Sequence, residues 1–197
     1  MKKLSTLVLG CTACLLLASC TPTSINPLSS PKTAQPDQRL LGDWYGDTND
    51  SHDTYHFTLK KGAWMHVVIT HSKTDDKPDS YDLFPTVIGK QTFLNVQMDS
   101  KDDKRKPLKM YVLLRYALSS DQKLSSWNMS STVLAAAINA GKLKGIVQED
   151  AHPITGGQPA QPDRDITLQD TSEHLANFIQ STDVDLLFSE KMSTLHR

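Results

Sequence analysis

Apolar and polar residues alternate along much of the first two thirds of this chain. Tyr55, Phe57 and Leu59 alternate with His56, Thr58 and Lys60, the period-two pattern of a strand with one buried face. Lys61-Gly62 reads as a tight turn, and residues 63–70 (AWMHVVIT) form a β-branched and aromatic run that ends in a polar loop at 71–80. Two more strands are predicted at 82–88 and 92–98, turning at Gly89-Lys90, followed by a charged loop at 99–107. The clearest strand is 108–118. Leu108, Met110, Val112, Leu114, Tyr116 and Leu118 share one face, and Tyr111, Leu113 and Ala117 make the other face apolar as well, so it belongs in the centre of a sheet. Residues 124–127 supply a short partner.

The period then changes. Ser130 or Ser131 can cap a helix carrying Val133, Leu134, Ala137 and Ile138, with Gly141 as its left-handed stop. A strand at 145–148, a Pro- and Gly-containing loop at 151–165 and a short strand at 166–168 follow. Asp170 and Glu173 resemble a capping box opening a helix with Leu175, Phe178 and Ile179 on one face, and Leu186-Leu187-Phe188 is an apolar plug that packs back on the domain. Strands first and helices later predict an α+β fold: a curved antiparallel β-sheet with two helices in the C-terminal third.

The N-terminus follows another logic. Lys2 and Lys3 precede an apolar run to Leu17, too short for a spanning helix and built like a secretory signal peptide. The run ends in Leu17-Ala18-Ser19-Cys20, which resembles the lipobox of bacterial lipoproteins. The resemblance implies diacylglyceryl transfer to Cys20, cleavage that removes residues 1–19, and N-acylation of the new terminus. With Thr21 rather than Asp after the cysteine, it further implies outer-membrane sorting, with a lipid anchor and a periplasm-facing domain. Cys11 and Cys14 would leave with the signal, so no disulfide is available to the mature chain. Residues 20–39 hold Pro22, Pro27, Pro31 and Pro36 among Ser, Thr and Gln, which reads as the lipidated cysteine followed by a disordered tether. Its extended reach would be on the order of 50 Å. A single globular domain is expected over 40–197.

Two further resemblances concern that domain. Gly42-Asp43-Trp44 is similar to the G-x-W of lipocalin-like barrels, in which the Trp plugs the closed end of an eight-stranded cup; on that likeness the sheet would roll into at least a partial barrel. The stretch from Tyr111 to Tyr116, then Leu124, Trp127 and Gly141 to Gly145, is similar to uncharacterised bacterial lipoproteins and brings no activity with it.

Lys and Arg number 21 against 22 Asp and Glu, so no basic field exists to hold nucleic acid. Removing Lys2 and Lys3 leaves 19 basic side chains against 22 acidic ones. No G-x-S-x-G, H-E-x-x-H or P-loop is present, and no cofactor motif, so catalysis is not indicated. His52, His56, His66 and His71 cluster in sequence with Asp50 and Asp53, imidazole and carboxylate being natural donors for zinc, and His52, His56 and His66 are the candidate metal ligands. Trp44 and Trp64 are the candidates to border an apolar ligand groove. The expected role is a non-catalytic binding or envelope-assembly module, touching membrane lipid through acylated Cys20 and an envelope protein or hydrophobic ligand through its domain. The alternatives are a hydrolase or metal-binding protein acting on envelope material, and a purely structural lipoprotein.

Overall fold

The computed structural model describes residues 21–47, 52–72, 77–101, 107–150 and 163–197. The expected signal peptide and lipidation site, residues 1–20, and most of the loops at 99–107 and 151–165 lie outside the described residues.

Eight antiparallel strands close into a barrel. They are β2 (Gly42–Asp47), β3 (His52–Leu59), β4 (Met65–Thr70), β5 (Asp79–Ile88), β6 (Gln91–Lys101), β7 (Pro107–Leu118), β8 (Lys123–Asn128) and β11 (Glu190–His196). Each pairs with the next in chain order, and β11 closes the ring between β8 and β2. The α+β unit between β8 and β11 is thus an insertion ahead of the last barrel strand. It holds α1 (Ser131–Asn139), β9 (Gly145–Asp150), β10 (Asp163–Leu168), α2 (Ser172–Ser181) and α3 (Val184–Leu187).

The period-two pattern sorts side chains between two cores. Trp44, Phe57, Met65, Val67, Leu83, Leu94, Tyr116, Leu124 and Leu195 come from all eight barrel strands and pack together with Leu40, which makes this cluster the barrel lumen. The side chains of the opposite pleat on β5, β6 and β7 face outward: Phe84, Phe93, Tyr111 and Leu113 form a second core with Leu134 of α1, Ile166 and Leu168 of β10, and Leu175 and Ile179 of α2. The apolar second face of β7 is explained by this outer layer. Ser130 caps α1 by accepting the Val133 N–H, and Gly141 leaves it at φ 68°. Gly145 lets α1 close on β9, since a Cβ there would sit 2.8 Å from Ile138 Cδ1. The cap of α2 is Thr171, whose side chain accepts the His174 N–H; Asp170 instead takes the Lys144 N–H at 2.7 Å.

Residues 21–40 are not a free tether. Thr23–Ser24 form a strand, β1, wedged between β7 (Thr23 opposite Val112) and β10 (Thr23 beside Thr167). The Ile25 N–H continues the ladder to the Leu168 carbonyl at 3.0 Å. Leu28 is buried in the outer core, and its N–H donates to Asn95 Oδ1 at 2.7 Å. Asn95 is fully buried and donates in turn to the Phe84 carbonyl and Thr86 Oγ1. A 3₁₀ turn at Gln38–Leu40 then drives Leu40 into one end of the lumen. The prolines that suggest disorder here spare the chain some ordering entropy, and burial of Leu28 and satisfaction of Asn95 offset the rest. The folded body therefore includes the chain from Thr21 onward.

Candidate functional site

Trp44 lies almost wholly in the lumen, with an edge on a shallow depression at the barrel end, and Trp64 packs against the outer core. Trp44 is 1% exposed inside the lumen, where its indole N–H donates to the Leu40 carbonyl at 2.7 Å. The Arg197 guanidinium lies over its ring, 4.5 Å from the centroid, and donates to the carbonyls of Arg39 and Leu41. Leu40, Trp44 and Arg197 stopper this end of the barrel. Trp64 packs edge-on to Phe84 at 4.9 Å in the outer core. The concave face of the sheet is occupied by the protein's own side chains.

The candidate metal ligands stand on the outer face, and the structure does not assemble them. His56 is opposite Val68 and His66 is opposite Thr58, so the two are diagonal neighbours across β3 and β4. His52 is four residues from His56, about 13 Å along an extended strand. His56 Nδ1 pairs with Asp43, and His66 Nδ1 pairs with Asp82 Oδ1 at 2.7 Å. Lys60 Nζ holds both oxygens of Asp82 at 2.9 and 2.7 Å. Burial works against ionisation of Asp82, but Lys60 and His66 hold its carboxyl below the usual range. Among the described residues no group of three or more His, Cys, Asp or Glu is arranged to hold a metal ion.

His66, Asp82 and Lys60 border a shallow depression with Ser80, Gln97 and Asp99. An imidazole oriented by a carboxylate is half of a hydrolytic triad. Among the described residues Ser80 makes no hydrogen bond to this imidazole, and Asp82 is shared between His66 and Lys60. A second depression, lined by Arg39, Trp44, Leu118, Ser119, Gln122 and Arg197, overlies the stoppered end.

His71, close in sequence to Asp53, bridges that carboxylate and Asp79. Its Nδ1 is 3.3 Å from Asp53 Oδ2 and its Nε2 is 3.3 Å from Asp79 Oδ2. Partial burial disfavours the charged ring, yet hydrogen bonds and charge from Asp79 and Asp53 outweigh it and raise the His71 pKa. A raised imidazole pKa stabilises the fold fully below the unfolded value, about 6.5, and this contribution disappears as pH rises through the higher folded value. His71→Asn should therefore lower the melting temperature at pH 5.5, with the gap closing at alkaline pH. Thermal melts across that range check it, and a gap that widens with pH would refute it.

The remaining site is the seat of Thr21, the first described residue. The Asn128 side-chain amide donates to Thr21 Oγ1 across a long 3.4 Å, while Pro22 is buried and β1 holds the next two residues. Asn128 is 8% exposed, and its Oδ1 is the one buried side-chain polar atom without a partner among the described residues. The pattern of prolines conceals this seat, because nothing in a Pro-Thr-Ser sequence marks two residues as a strand.

No protein-family model matches the chain, and neither a curated protein nor a solved structure is significantly similar to it.

Proposed function

We propose that this protein is a lipoprotein of the bacterial outer membrane, acylated at Cys20, whose periplasm-facing domain is a non-catalytic assembly module working through its outer surface. The observation that carries the second half is the plugged lumen. Trp44, Phe57, Met65, Leu83, Leu94 and Tyr116 fill the space that would receive an acyl chain in a hollow barrel of this size. Recognition then falls to the outside of the barrel, where Asp43, His56, Lys60, His66 and Asp82 make the β2–β5 face polar and charged. That polarity is the reverse of a membrane-spanning barrel, whose outer band is apolar and whose interior is wet. No helix among the described residues is long and apolar enough to cross a bilayer, so the proposed attachment relies on lipid at Cys20.

The support for the anchor is the lipobox Leu17-Ala18-Ser19-Cys20 behind a charged start and an apolar run. Each buried acyl methylene contributes about 0.8 kcal/mol, so two or more chains hold a protein stably. Cys20→Ser should leave an uncleaved precursor that takes up no labelled palmitate; persistent labelling would overturn the anchor. The surface-acting reading has its own check. Native mass spectrometry of residues 21–197 released from cells should give the mass of the polypeptide alone, whereas a stoichiometric bound lipid would show that the lumen opens to a ligand.

A further inference from the structure

We infer that the domain lies directly on the membrane, with the seam of β8, β11 and α3 as its lipid-facing side. This rests on the acylation of Cys20 proposed above. Thr21 belongs to the folded body, and one peptide bond separates its Cα from that of Cys20 by about 3.8 Å. Acyl chains on Cys20 therefore enter the bilayer next to the seat of Thr21, and no spacer exists to hold the barrel away from the headgroups.

Thr21 fixes which side this is. Its hydroxyl takes the Asn128 amide at the end of β8, and Asn128 stands opposite Glu190 at the start of β11. Two residues beyond Asn128, the Ser130 N–H donates to the Leu187 carbonyl at 2.7 Å, which ties α3 to the same place. Two large apolar side chains project from these elements: Leu186 of α3 is 63% exposed, and Met192, in the bulge between Lys191 and Ser193 of β11, is 39% exposed. The acids beside them are engaged, Asp185 by Arg115 and Glu190 Oε1 by the Ser131 N–H. Exposed apolar groups next to an acyl attachment point fit the interfacial zone of a bilayer, where each gains by leaving water. The polar β3–β5 wall lies across the ring and faces the periplasm, free for the contacts proposed above.

The test places a benzophenone amino acid at Leu186, at Met192 or at Val87, which is 69% exposed on β5 across the ring. The variants are made as the full chain in cells. They are also made as residues 20–197, with the Cys20 thiol added across the double bond of a maleimide lipid in phospholipid vesicles. On irradiation, phospholipid adducts should form at 186 and 192 and stay at background at 87. A 20-residue Gly/Ser spacer between Cys20 and Thr21 should cut those adducts about tenfold or more, since the local concentration of a tethered pair falls steeply with linker length. Vesicle-bound protein with adducts at 186 and 192 no higher than at 87 would overturn the seat. Adducts in the maleimide sample from a chain that cells leave unacylated would uphold the seat and overturn the anchor.

Discussion

A chain that begins at Leu40 is expected to lose cooperative folding. The missing residues include β1, the strand that joins β10 to the barrel; without it β10 keeps β9 as its one ladder partner, and part of the β7 edge is unpaired. Leu28 leaves the outer core, which costs about 1.5–3 kcal/mol of burial. Asn95 loses the Leu28 N–H and remains buried, at roughly 1–3 kcal/mol for the unsatisfied group. Asp37 also goes, and with it the acceptor for the Tyr116 hydroxyl at 2.9 Å. Against a typical total of about 5–15 kcal/mol, losses of this size unfold or loosen the insertion and expose its apolar face. Thermal melts and limited proteolysis of residues 21–197 and 40–197 compare the two. Equal melting temperatures would refute the account of β1.

The second large effect is expected at Trp44→Ala. The indole fills the lumen against Leu40, donates to the Leu40 carbonyl, and carries the Arg197 guanidinium on its face. Truncation should cost about 3–5 kcal/mol, because a cavity inside a closed barrel cannot collapse easily. It should also create what the native lumen lacks, a space for a small apolar molecule. Denaturant melts measure the first effect, and binding of an indole- or benzene-sized probe measures the second. A loss below 1 kcal/mol would mean that the ring lies at a surface.

The elements with strong side-chain patterning were legible in the sequence. β7 shows its central place because Leu114 and Tyr116 serve the lumen while Tyr111 and Leu113 serve the outer core. α1 shows both ends, since Ser130 and Gly141 are the residue types that a cap and a left-handed stop require. β11 was not legible. Its residues EKMSTLH bury only Leu195 deeply, and the strand is held by backbone pairing to β8 and β2, which leaves no signature in side chains. β1 failed for the same reason, and its neighbouring prolines argued the other way. The histidines illustrate a different limit. His52, His56 and His66 are close in sequence, yet what each meets depends on strand register, which sets Asp43 beside His56 and Asp82 beside His66. His71 gained two carboxylate partners that no spacing rule joins.

The most direct test of the account is residue-resolved hydrogen exchange over Thr23–Leu28 in residues 21–197. The Ile25 and Leu28 amides, bonded to the Leu168 carbonyl and to Asn95, should exchange as slowly as the core amides of β7. Exchange at the rate of an unstructured peptide would restore a free linker between lipid and barrel, and would contradict both the fold of the N-terminal segment and the membrane seat built on it.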